Sequence, residues 1–103
     1  MNRGDVYDVD WPVLGARPAV IVTRPTAIPY LRNVTVVLIT TRVRGLPTEV
    51  ELGPAQGVSD GSVANCDNVL TVAKTALAAR RGALGPAEAH GLDEALRIAM
   101  GLD

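Results

Sequence analysis

The sequence predicts a mainly β protein, a small closed or half-closed β-barrel finished by one C-terminal α-helix. Three observations predict it. Six or seven short segments of β-branched or alternating residues are separated by Gly, Pro and Asp-Asn turn signals. After Pro86 the hydrophobic period lengthens from that of a strand to that of a helix. Finally, 103 residues that are 48% hydrophobic but 3% aromatic, with no Phe, describe one small domain over 1–103 with a core of Val, Leu, Ile and Ala.

The elements follow in order. Asp5 to Trp11 alternates, with Tyr7, Val9 and Trp11 on one face and Asp8 and Asp10 on the other. Pro12 to Ala16 is a short loop. Ala19 to Thr23 is almost continuously apolar, which predicts a strand buried on both faces. Arg24 to Asn33 carries Pro25 and Pro29, which forbid regular pairing. Val34 to Thr40 is the strongest strand, rich in β-branched residues. Arg42 to Pro47 turns around Gly45. Thr48 to Leu52 alternates, with Val50 and Leu52 inward and Glu49 and Glu51 outward. Gly53 to Gly61 is a loop. Ser62 to Cys66 and Val69 to Lys74 read as two strands around an Asp67-Asn68 turn. Ala78 to Ala83 reads as a short last strand.

Gly85 and Pro86 open the helix, since proline suits the first helical position. Leu92, Leu96 and Ala99 fall on one face. Asp93 and Arg97 are spaced for an i,i+4 pair worth a few tenths of a kcal/mol, roughly. Gly91 costs the helix about 1 kcal/mol, so packing must support it. Gly101 is a natural stop.

Charge and cysteine content narrow the function classes. A net charge of −1 argues against coating nucleic acid by bulk charge. The balance is uneven, however: residues 1–50 carry +2 and residues 51–103 carry −3. This balance leaves room for a local basic face in the first half. Cys66 is the single cysteine, which reads as a small buried hydrophobe in a reducing compartment. One Cys and one His form no metal-ligand cluster, so no metal or cofactor is expected. The first residues lack an apolar signal segment, and the longest apolar run, near Val36 to Ile39, is far too short to span a bilayer. A cytoplasmic protein without a membrane partner is the expectation. Arg3-Gly4-Asp5 spells an adhesion tripeptide, read here as coincidence at a strand start.

The polar groups at strand ends carry the chemical signal. Arg17 enters the second strand, and Thr40 and Thr41 leave the third. A guanidinium and hydroxyls held on rigid strands can grip a phosphate. Asp8 and Asp10 share a face but nothing basic joins them, so they read as a solvated face. His90 falls on the helix surface. Tyr7, Trp11 and Tyr30 are candidates for stacking bases, with Trp11 favoured as core or dimer surface.

Taken together these segments resemble the MazF/PemK toxins of type II toxin–antitoxin pairs. The resemblance covers nearly the whole chain: RGDVYDVD at the start, Arg17-Pro18, ITTRVRGLPTEVEL from Ile39, SVANCDN from Ser62, and the helix LDEALRIAMGL. It implies an SH3-like barrel of the CcdB/MazF kind, assembled as a homodimer. It implies an endoribonuclease that needs no metal, cuts single-stranded RNA at short sequences and leaves a 2′,3′-cyclic phosphate and a 5′-hydroxyl. It also implies neutralisation by a cognate MazE-like antitoxin with a flexible tail. The catalytic Arg of the family maps onto Arg17 and its catalytic Thr onto Thr40. Thr41, Arg24, Arg42, Leu46, Asp67 and Asn68 map near the RNA groove as substrate-binding candidates.

In such a cleavage the 2′-hydroxyl of the RNA is the nucleophile, so DNA is spared. The enzyme must orient the phosphate and stabilise developing charge. An Arg is too basic to serve as a ready general base, so the residues support electrostatic stabilisation more firmly than any named proton acceptor. Trp11 to Ala16 departs from many relatives, which carry a longer loop with acidic and amide residues. No loop carboxylate carries over, and a shallow mouth suits structured transfer or ribosomal RNA over plain messenger. Two other readings are a gyrase-directed toxin of the CcdB kind and a non-catalytic protein-binding barrel; the ITTRVRGLPTEVEL segment favours the ribonuclease.

Overall fold

A computed structural model describes residues 1–13 and 15–102. Its strands are β1 (Asp5–Trp11), β2 (Gly15–Ile21), β3 (Asn33–Thr40), β4 (Glu49–Leu52), β5 (Ser62–Ala73) and β6 (Leu77–Ala83), followed by α1 (Pro86–Met100). Short 3-10 turns lie at Pro54–Gln56 and Lys74–Ala76. The strands form one antiparallel sheet in the order β4-β5-β3-β2-β1-β6. Its two edge strands do not pair with each other, so the sheet is a curled half-barrel.

What closes the curl is backbone against backbone. Gly57 has φ +82°, and a Cβ there would lie 2.1 Å from the Arg81 carbonyl oxygen. A Cβ on Gly82 would lie 2.5 Å from the Gln56 carbonyl oxygen. Only glycine permits this approach of the 53–58 segment to β6. Arg81 reinforces it by donating from Nε to the Gly57 carbonyl at 2.9 Å while its Nη1 pairs with Asp8 at 3.2 Å.

The central strands are buried on both faces, as their continuous apolar runs require. Val20 and Val37 face one cluster with Val6, Ile39, Val50, Leu52, Cys66 and Leu92. Ala19, Ile21 and Val36 face the other with Val9, Ile28, Val34 and Val72. The loop after β2 supplies Ile28, which is the lid of the second cluster. Tyr7 and Trp11 flank that cluster, so the alternation read along β1 holds.

Three local expectations are corrected. Gly15 and Ala16 are not loop but the first residues of β2, paired with Trp11 and Asp10, so Arg17 lies within that strand. Ser62–Cys66 and Val69–Lys74 are not separate strands around an Asp67-Asn68 turn. Both halves pair with β3 in the same direction, Asn65 with Leu38 and Val69 with Val37. The chain therefore never reverses; Cys66, Asp67 and Asn68 are extra residues that bulge out of one long strand. Asp93 does not pair with Arg97 either. It meets Arg3 at 3.0 Å, and Arg97 turns to Glu94 at 3.8 Å. The competing partner was long-range and thus invisible to helical spacing.

The helix begins and ends as read. Pro86 opens it, and the Glu88 carboxylate accepts from the Gly85 N–H at 3.0 Å. Gly101, at φ +67°, closes it in a Schellman motif, with the Leu102 N–H donating to the Arg97 carbonyl. Leu92 and Ala95 are its buried residues. A Cβ at Gly91 would make an ordinary contact with Val50 of β4 at 3.6 Å, so α1 packs on β4 there without requiring glycine. The Arg3-Gly4-Asp5 tripeptide is structural, since Asp5 is buried and pairs with Arg80 at 3.3 Å.

Candidate active site

β2 and β3 pair through Ala19–Leu38, Val20–Val37 and Ile21–Val36. Continued two residues beyond the Ala19–Leu38 rung, the same register brings Arg17 level with Thr40. Alternation sets both on the face of Ala19 and Leu38. There a groove of about 440 Å³ opens, lined by Trp11, Arg17, Pro18, Leu38, Ile39, Thr40, Thr41, Arg42, Arg44, Asn65 and Asn68. Arg17 and Thr40 thus share one hollow.

Each wall has an identifiable support. β5 lies between β3 and β4, so residues 41–48 must arch over its end to carry the chain from one to the other. The Thr40 hydroxyl oxygen accepts from the Arg42 N–H at 3.1 Å, which anchors the start of the arch. That bond uses a lone pair and leaves the hydroxyl proton for another acceptor. On the opposite wall the bulge of β5 presents Asn68. The Asn65 Oδ1 accepts from the Asp67 N–H at 3.0 Å, which leaves the Asn65 amide N–H groups available to the groove. The Thr48 hydroxyl holds the Asp67 carboxylate, and the Thr48 carbonyl accepts from the Cys66 N–H at 2.9 Å.

The electrostatics follow from which charges are neutralised. Among the described residues, Arg3, Arg80, Arg81 and Arg97 have carboxylate partners, whereas Arg17, Arg42 and Arg44 have none within ion-pair distance. These last three line the groove. Among the described residues the lining contains no carboxylate and no imidazole. A chain of net charge −1 therefore carries a concentrated positive hollow, built from cations of its first half. Such a hollow can bind a phosphate through the Arg17 fork and a Thr40 hydroxyl donor.

The structure sorts the sequence candidates. Arg17, Thr40, Thr41, Arg42 and Asn68 all line the groove. Asp67 does not; it braces the bulge from behind through Thr48. Leu46 is exposed on the arch but outside the lining, its N–H bound to Glu49. Arg24 lies beyond the opposite end of β2, because that strand carries the chain away from Arg17. Tyr30 stands on the same distant loop and Tyr7 flanks the core, so neither reaches the hollow. Trp11 does line it. Asp8 is not a solvated acid but the partner of Arg81. His90 is exposed on α1, as expected. The sequence reading did not select Arg44 or Asn65. A polar Asn inside the apolar SVANC run was the available signal for the latter.

Comparison with known proteins gives a consistent answer. Residues 2–100 match the family described as PemK-like, MazF-like toxin of type II toxin-antitoxin system. The Endoribonuclease MazF3 of Mycobacterium tuberculosis is 43% identical over 88 residues, 85% of each chain. A solved endoribonuclease in complex with its cognate antitoxin from a Mycobacterial species superposes with a TM-score of 0.90 at 35% identity, covering 100% of this chain and 97% of that one. The Mycobacterium tuberculosis toxin MazF-mt6 superposes with a TM-score of 0.88 at 38% identity, covering 96% and 98%.

Proposed function

The chain belongs to the PemK-like, MazF-like toxin family of type II toxin–antitoxin systems, and we propose that it is an endoribonuclease toxin whose active groove is the hollow around Arg17 and Thr40. The observation that carries this reading is the convergence of one guanidinium, one strand-end hydroxyl and two further cations in a hollow with no carboxylate among its described lining residues.

The chemistry is intramolecular transesterification. The ribose 2′-oxygen bonds to the adjacent phosphorus and the phosphorus–O5′ bond breaks. The 2′-hydroxyl loses a proton and the departing 5′-oxygen gains one, giving a 2′,3′-cyclic phosphate and a 5′-hydroxyl. Arg17 holds two phosphate oxygens in its fork and Thr40 donates to a third. Arg42 and Arg44 hold the flanking backbone, and Asn65 and Asn68 offer amides to base edges. Catalysis rests on orientation and on charge stabilisation in a site already arranged for it. The substrate is single-stranded RNA: the 2′-hydroxyl is required, and only unpaired nucleotides can splay bases into so small a hollow. The absence of a long acidic loop between Trp11 and Arg17 in the sequence favours structured transfer or ribosomal RNA.

A cognate antitoxin is the expected protein partner, since the 35%-identical relative is solved in complex with its own. The positive groove suits an acidic tail segment. A homodimer is the expected assembly; Ile98, Met100 and Leu102 expose apolar surface at the end of α1 that pairing would cover. No helix among the described residues is long and apolar enough to cross a membrane; the cytoplasm is the proposed location.

The test is digestion of total RNA with purified protein in EDTA, followed by mapping of 5′-hydroxyl ends. Discrete sites within structured RNA are expected. Intact RNA under all conditions returns the gyrase-directed or purely protein-binding reading; cuts confined to unstructured messenger refute the structured-RNA preference.

A further inference from the structure

The arch over β5 is the least regular part of the groove, yet it bears two of its three cations. No strand or helix fixes residues 41–48. Their N–H groups are gathered by side chains instead. Glu49, the first residue of β4, accepts from the Arg44 N–H at 3.0 Å through Oε2 and at 3.2 Å through Oε1, and from the Leu46 N–H at 2.9 Å through Oε1. The Glu49 N–H returns a bond to the Leu46 carbonyl at 3.1 Å. Gly45 lies between the two donors at φ +73°, a left-handed turn that aims both N–H groups at one point. Successive N–H groups arranged this way form an anion-binding nest. Here the anion is the chain's own carboxylate.

We propose that Glu49 is a positioning residue of the groove, whose carboxylate sets the arch so that Arg42 and Arg44 stand beside Thr40. Glu49 touches no substrate. It acts through the backbone of Arg44 and Leu46, while Thr40 fixes the other end of the same arch through Arg42. The N–H bonds that define the nest also hold the Glu49 carboxyl below the ordinary carboxylate range, so the anion persists at neutral pH. Losing it frees the arch and disperses two charges from the hollow. Arg17, on another strand, is undisturbed. The effect therefore falls on RNA binding more than on the bond-breaking step.

This deepens the endoribonuclease reading, and its kinetic arm rests on that reading. The experiment compares wild type, Glu49→Ala, Glu49→Gln and the control Glu51→Ala, the last being the next outward glutamate of β4. Amide hydrogen exchange of Arg44 and Leu46 is measured by NMR on each. KM and kcat are measured on an RNA oligonucleotide containing one site mapped in the wild-type digest. For Glu49→Ala both amides exchange at least tenfold faster, and KM rises about tenfold with kcat within threefold. Glu49→Gln, whose carbonyl oxygen still accepts, falls between. Glu51→Ala matches wild type. Unchanged amide exchange, an unchanged KM, or an equal KM rise in Glu51→Ala overturns the proposal. Should Glu49→Ala fail to fold, Glu49→Gln decides by the same measurements. Should wild type cut no RNA, the functional reading fails while the amide measurement still decides whether Glu49 holds the arch.

Discussion

The Thr48 hydroxyl donates to the Asp67 carboxylate at 2.7 Å and ties the entrance of β4 to the bulge of β5. Thr48 is buried and Asp67 is exposed. The bond therefore runs from the core outward and fixes where the bulge, with Asn68, meets the groove. A charge-assisted bond at this partly screened site contributes about 1 kcal/mol. A double-mutant cycle with Thr48→Val and Asp67→Ala, read by urea unfolding, is expected to give a coupling energy of that size. A coupling indistinguishable from zero shows that the bulge is held otherwise.

Arg17 and Thr40 should matter for catalysis and little for stability, since Arg17 is exposed and Thr40 only half-buried. Arg17→Ala and Thr40→Val are expected to lower the cleavage rate by about a hundredfold or more. Arg17→Lys keeps the charge but loses the two-pronged grip, so it should remain impaired. Thermal unfolding of the three variants checks that the fold is intact. Near-wild-type cutting by Arg17→Ala would remove Arg17 from the mechanism.

The seam that closes the half-barrel predicts a graded glycine series. Gly82→Ala sets a methyl against the Gln56 carbonyl, where backbone cannot yield cheaply. A loss of about 3 kcal/mol or more is expected. Gly101→Ala meets nothing within 4 Å and suffers only from its left-handed φ, at a cost of about 1 kcal/mol. Equal losses in the two variants would deny the seam its special role.

Cys66 is fully buried, and burial followed by the Asp67 charge pushes its thiol from 9.0 up to about 11. The sign follows directly. Below pH 9 the thiol is neutral folded or unfolded and costs nothing. Above it the unfolded chain ionises first, so stability falls as pH rises from 9 towards 11. Cys66→Ala should flatten that part of the stability profile, after correction for its lost packing. Native protein should resist iodoacetamide at pH 8 and react promptly in denaturant. Rapid native alkylation would contradict the burial.

Much of the fold was legible because it is written in local pattern. The doubly apolar runs of β2 and β3, the alternation of β4 and the Gly-Pro start of α1 each follow from side-chain period and backbone chemistry. The Asp67-Asn68 turn was misread for a related reason. Turn-forming residues mark a departure from regular extension, and a bulge uses the same chemistry as a hairpin. Only the pairing partner distinguishes them, and here both flanks found β3. Arg24 and Arg42 look alike in sequence, one before and one after a strong strand. They part because β2 and β3 are antiparallel neighbours that send the two residues to opposite ends of the sheet.

By itself the sequence determined that this is an aliphatic, strand-rich chain with a terminal helix, that its cations crowd its first half, and that Thr40 stands at a strand end. Those properties are carried by single residues and their near neighbours. Tertiary structure alone decided that Arg17 and Thr40 share one hollow, that Arg44 and Asn65 join them, and that Glu49 serves the arch and not the solvent. Such facts depend on the register between strands distant in the chain, and register is a property of the folded sheet.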